Sequence, residues 1–169
     1  MQHIKWTERK FMFGYDKRYL PQLIERLRSA APRLEELLHG VDNAAASERL
    51  NGEWSAKEHA GHLSDLEKLH DGRIGDFIAG VEVLRPADMK NVATYEGSHN
   101  DVPIARLLAG FRQGREAFIN RILSLDEAIL DRKALHPRLQ QMVNLPDIMY
   151  FVAEHDIHHL MRIAELLPK

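Results

Sequence analysis

Apolar residues in this chain return at every third or fourth position over long stretches, and that period restricts the fold more than any other feature. Leu20, Leu23, Ile24, Leu27, Leu34, Leu37, Leu38 and Val41 form one such stripe, the mark of an amphipathic helix. Pro21 suits its first turn, and Pro32 is expected to kink its interior. Ser55-Ala56-Lys57-Glu58 supplies a Ser-x-x-Glu capping box, which predicts a second helix to about Val81 with Leu63, Leu66, Ile74 and Phe77 inward. Pro103 opens a third, carrying Ile104, Leu107, Leu108, Phe111, Phe118, Ile119 and Ile122 and ending near Leu125. A fourth starts around Pro146, with Ile148, Phe151, Val152, Ile163 and Leu166 on its core side. Each stripe must be buried against the others, and no alternating run requires a strand. The expected fold is all-α, a four-helix bundle.

The 169 residues suit one domain over 1–169, with residues 1–19 (Trp6, Phe11, Phe13 and Tyr15 among them) packing across the bundle. Between residues 82 and 102 the period is lost and Pro86, Gly97, His99 and Asn100 collect, so a loop is expected, long enough to serve as a lid or binding wall. A second connection runs through His136-Pro137. Lys plus Arg number 23 against 25 Asp plus Glu, with no long run of either sign; neither nucleic acid nor an anionic membrane is an expected partner. With no signal-peptide pattern at the start and no apolar run of spanning length, the expected location is cytoplasmic.

Cysteine is absent while histidine occurs ten times, so any metal must take nitrogen and oxygen ligands. In Glu154-His155-Asp156-Ile157-His158-His159, His155 and His159 stand one helical turn apart, within about 40° of each other. They share the stripe of Ile148, Phe151 and Val152, which turns both imidazoles toward the core. Bundle metal sites are built from such residues on facing helices. The second helix offers His59 and His62, and the pattern does not choose between them. Three histidines would leave a tetrahedral ion one open position, as in catalytic zinc sites. Glu58 is the capping acid and also the nearest candidate general base; Asp65 reads as a solvated helix residue. Arg162, on the inward stripe, could instead hold a carboxylate. His158 is a surface or supporting residue, His3, His39 and His70 are structural or solvated, and His99 and His136 reach a pocket only if their loops fold over it.

Two blocks, Trp54-Ser55-Ala56-Lys57-Glu58-His59-Ala60-Gly61-His62-Leu63-Ser64-Asp65-Leu66-Glu67 and Glu154-His155-Asp156-Ile157-His158-His159-Leu160, resemble the DinB/YfiT-like superfamily of metalloenzymes, with similar layout from about Leu20 to Leu166. The resemblance implies an up-down-down-up four-helix bundle, often dimeric, and a zinc or nickel ion. In that family the histidine eight residues after the tryptophan is a ligand, which implies His62 rather than His59. The family's His-x-x-x-His pair matches His155 and His159.

Characterised relatives include transferases and isomerases that use low-molecular-weight thiols. The expected function is therefore a metal-dependent transferase that adds a small thiol to an electrophile, with Arg162 orienting an acidic group and Tyr95 to Asn100 covering the site. A metal-dependent hydrolase and a non-catalytic metal- or ligand-binding stress protein are the alternatives. A homodimer is expected from the resemblance and the apolar segment around Trp6 and Phe11.

Overall fold

The computed structural model describes residues 4–167, so His3 lies outside the described residues. Its helices are α1 (Leu20–Leu38), α2 (Asn43–Ala46), α3 (Ala56–Ala79), α4 (Val92–Glu96), α5 (Ile104–Leu123), α6 (Glu127–Leu130) and α7 (Leu145–Leu166). The four long ones make the bundle: α1 packs against α5 and α7, and α3 packs against the same two. Consecutive long helices α1 and α3 therefore face each other across a diagonal. The ends of the long helices lie within a few residues of the sequence expectation. Helix α3 stops at Gly80, which adopts the left-handed conformation (φ 68°) that ends a helix at little cost for glycine. Pro32 removes one N–H donor from α1, yet the helix continues to Leu38.

Two apolar clusters fill the interior. One is built around Leu27, Phe77, Phe118 and Val152, the other around Leu34, Leu63, Phe111 and Leu160. Truncating a fully buried phenylalanine such as Phe111 to alanine costs about 3–5 kcal/mol. Along the helices, the level between the clusters is polar and holds Glu67, His70, Arg115 and Asp156. The N-terminal segment lies along α7: the Gly14 and Tyr15 N–H groups donate to Asp147 at 2.8 and 2.9 Å, and Trp6 packs on Phe151 with ring centroids 5.1 Å apart. Among the described residues, no helix is long and apolar enough to cross a membrane.

Both connections carry more structure than their composition indicated. Residues 134–143 form an antiparallel hairpin, β1 (Ala134–His136) with β2 (Gln141–Val143). Three-residue strands are too short to leave an alternating pattern, so the expectation of a strandless chain misses them. The 82–102 connection is not a bare loop either. It holds α4 and a 3-10 turn over His99–Asp101, each entered from a left-handed residue, Asn91 and Ser98. The His99 ring lies so close over Gly61 that a Cβ there would come within 2.3 Å of it. Close approach of this kind requires glycine on α3 and ties the connection to the bundle wall.

Candidate metal centre

The Ser55 capping box sets the start of α3: the Glu58 N–H donates to Ser55 Oγ at 3.1 Å and the Ser55 N–H to Glu58 Oε2 at 2.9 Å. An equivalent box, Asn144 with Asp147, starts α7. These anchors fix the rotation of the two helices so that His59 and His62 meet His155 and His159. All four are 6% exposed or less. The rings of His62, His155 and His159 lie 4.4 to 5.3 Å apart by centroid. One nitrogen from each falls within 4.8 Å of the other two, so the three could hold a metal ion. His155 Nε2 and His159 Nε2 are 3.1 Å apart, close to the edge of about 3.3 Å expected for a tetrahedral ion with bonds near 2.0–2.1 Å. The donor set fits a divalent ion.

Neighbouring hydrogen bonds fix which nitrogen of His62 is available. Thr94 Oγ1 donates its single hydrogen to Asp65 Oδ2 at 3.1 Å, so at its 2.9 Å contact with His62 Nδ1 it must accept. His62 then carries its proton on Nδ1 and leaves the Nε2 lone pair free for an ion. Asp65 is held from the other side by His99 Nε2 at 2.9 Å. On α7, His159 Nδ1 meets His59 Nδ1 at 2.8 Å. For His159 to present Nε2 to an ion, its Nδ1–H must donate to His59. His155 Nδ1 is buried without a hydrogen-bond partner among the described residues.

Burial keeps these imidazoles neutral, which is the ligating form. Loss of solvent lowers the pKa of His62 to about 4 and of His59 to about 3, and holds His155 and His159 well below the ordinary value. The cluster opens into a cavity of about 560 Å³ whose wall beside the histidines is largely aromatic, with Trp6, Trp54 and Phe151. Trp6 stands edge-on to His155 at 4.9 Å, and Trp54 lies 4.9 Å from His62.

Other expectations are corrected. Arg162 does not point into the site; it pairs with Glu53 and, at 2.8 Å, with Glu165, because its position on the stripe falls near the end of α7, where a long side chain reaches solvent. Glu58 is the capping acid and forks with Arg49, so it is engaged away from the cavity. Asp65 is not merely solvated, since the folded 82–102 segment brings Thr94 and His99 to it. His59 lies outside the three-histidine group but touches His159. His39 is exposed, whereas His70 is 4% exposed and lines the cavity together with His136 and His158.

Sequence reasoning also missed Arg73 and Arg138 on the cavity wall. A signal for Arg73 existed: eleven residues after His62, it returns to within about 20° of the same face. No comparable pattern marks Arg138, which the hairpin delivers.

Comparison with solved structures finds YfiT from Bacillus subtilis, at 18% identity and a TM-score of 0.75, covering 94% of this chain and 91% of that one. That protein is described as "a probable metal-dependent hydrolase with an unusual four-helix bundle topology", and at this identity the likeness bears on the fold alone. No curated protein gives a significant match. The DinB superfamily matches residues 26–163, from within α1 to within α7 and across both histidine blocks. With most of its length so matched, and with three buried histidines on the facing helices of a four-helix bundle, this chain belongs to the DinB superfamily.

Proposed function

We propose that the protein is a metal-dependent transferase that adds a low-molecular-weight thiol to an electrophile within the 560 Å³ cavity. The observation that carries it is the three-histidine cluster at the wall of that cavity, with no acid among the described residues placed as its general base: Glu58 is forked by Arg49, and Asp88, on the same wall, caps the N–H groups of Lys90 and Val92. A divalent ion deprotonates a coordinated thiol without help from such a base. His62, His155 and His159 would hold the ion, and an all-imidazole set suits zinc or nickel. Thr94 and Asp65 keep the Nδ1 proton on His62, and His59 accepts that of His159. Trp6, Trp54 and Phe151 exclude water and present apolar surface to the electrophile.

Hydrolysis is the second reading, supported by the description of YfiT as "a probable metal-dependent hydrolase". Chelator-stripped protein reloaded with zinc or nickel, assayed against a thiol panel and an electrophile, separates the two. We expect consumption of the electrophile that requires both metal and thiol. Cleavage that proceeds without thiol would assign hydrolysis, and turnover that survives stripping would overturn both readings.

A further inference from the structure

On the cavity wall beside Trp6 and Phe151, the protein offers buried hydrogen-bond donors that are unpartnered or weakly partnered among the described residues. His136 is 2% exposed. Its Nδ1 accepts from the Leu139 N–H at 3.3 Å, so the neutral ring carries its proton on Nε2, and that atom is buried without a partner. Arg138, two residues on, lies over the rings of Trp6 and Phe151 at 5.8 and 5.5 Å, and its Nη2 is likewise buried and unpartnered among the described residues. Arg73, 2% exposed, reaches only the Arg85 carbonyl among the described residues, through two long contacts of 3.4 Å.

Neighbouring acids do not complete this group. Asp76, one turn beyond Arg73, has both oxygens taken by the Arg85 backbone N–H and guanidinium. Asp88 is occupied as a cap. Burial, opposed by Asp76 and aided by the charges of Arg138 and Arg85, lowers the Arg73 pKa to about 10, and burial with the charges of Arg73 and Arg138 lowers that of His136 to about 4. Asp76 acts on Arg73 by charge alone, while the buried Arg138 Nη2 and His136 Nε2 have no acceptor among the described residues; leaving such donors unmade is costly, and an anion that accepts from several of them offsets that cost.

We propose that Arg73, Arg138 and the Nε2–H of His136 bind the carboxylate of a small acidic substrate, whose apolar body lies along Trp6 and Phe151 toward the three histidines. The proposal rests on the reading above, because it names the substrate class of the same cavity. Arg73 lies three helical turns past His62, about 16 Å along the axis. That distance, shortened by the reach of the arginine side chains, sets the separation between the acid group and the reacting end.

The test compares 4-phenylbutanoate with 4-phenylbutanamide, a neutral analogue of nearly the same shape, by calorimetric titration of the metal-loaded protein. We expect the carboxylate to bind about 10- to 100-fold more tightly, as charge-assisted hydrogen bonds would give. Arg138→Met should remove most of that preference and leave amide binding within about twofold, and Arg138→Lys should keep part of it. Arg73→Met should act in the same direction, with circular dichroism confirming the fold; the part-exposed Arg138 keeps the test decisive if Arg73→Met does not fold. Equal binding of acid and amide, or a preference that survives Arg138→Met, overturns the proposal. Metal content and thiol-dependent turnover are read on the same preparations. A carboxylate preference without turnover upholds the acid site and overturns the enzymatic reading, whereas turnover without the preference overturns the acid site alone.

Discussion

Arg115 and Arg73 are each 2% exposed, yet their surroundings are opposite. Arg115, on α5, has all five N–H groups engaged: Nε and Nη2 donate to Glu67 Oε1 at 3.0 and 2.7 Å, Nη2 and Nη1 to Asp156, and Nη1 also to the Leu27 carbonyl at 3.3 Å. It does not line the cavity beside the histidines. Arg73 has one distant carbonyl and an open cavity. The same kind of side chain, equally buried, thus marks a structural element in one place and a binding wall in the other. The distinction is not burial but whether the protein itself satisfies the group.

The sharpest way to break this comparison is to remove each arginine. Arg115→Ala leaves two buried carboxylates without their cation and should destabilise the fold by about 3–5 kcal/mol in urea denaturation. Arg73→Met deletes a desolvated cation and replaces it with apolar volume, so its effect should be within about 1 kcal/mol or stabilising. If Arg73→Met proves as damaging as Arg115→Ala, the two sites are alike and the contrast fails.

The histidine cluster should behave as ligands rather than as core. His62→Ala, His155→Ala and His159→Ala should each weaken metal binding by more than 100-fold, beyond the 10- to 100-fold typical of a supporting residue, with helicity by circular dichroism retained. Thr94→Val, which deprives His62 Nδ1–H of its acceptor, should fall inside that 10- to 100-fold range. His59→Ala should do likewise through His159. Unchanged metal affinity in Thr94→Val would show that the 82–102 segment does not support the centre.

The two regions should also respond to pH with opposite sign in the metal-free protein. Burial raises the Glu67 pKa to about 7 against Arg115, so Glu67 contributes stability that is full below its ordinary 4.5 and lost as pH rises through 7. His136 is depressed from 6.5 to about 4 by burial and the two arginines. Its contribution is present above 6.5 and declines as pH falls toward 4. Urea midpoints taken from pH 4 to 8 should show Glu67→Gln losing the first trend and His136→Phe the second. The smallest effect is expected from His158→Ala: its ring faces His159 edge-on at 5.1 Å, outside the ligand set, and metal stoichiometry per folded chain should stay that of the parent.

The sequence by itself determined the four long helices, the Ser55 capping box and the inward direction of His155 and His159. All of these follow from local period and local hydrogen bonding, which a helix expresses through 3.6 residues per turn whatever its neighbours do. Choosing His62 over His59 needed the family resemblance, because both sit on the buried face. Tertiary structure decided the rest. Thr94, Asp65 and His99 became a hydrogen-bonded support only when residues 82–102 folded onto Gly61, and His136 and Arg138 reached the cavity only through the three-residue strands of a hairpin. Arg162 and Arg73 both lie on helix faces that the period turns inward, yet one meets Glu53 and Glu165 at the end of its helix while the other faces the cavity without a carboxylate partner among the described residues. Periodicity gives a direction from the helix axis; whether that direction ends in solvent, an acid or an open cavity depends on contacts between residues far apart in the chain.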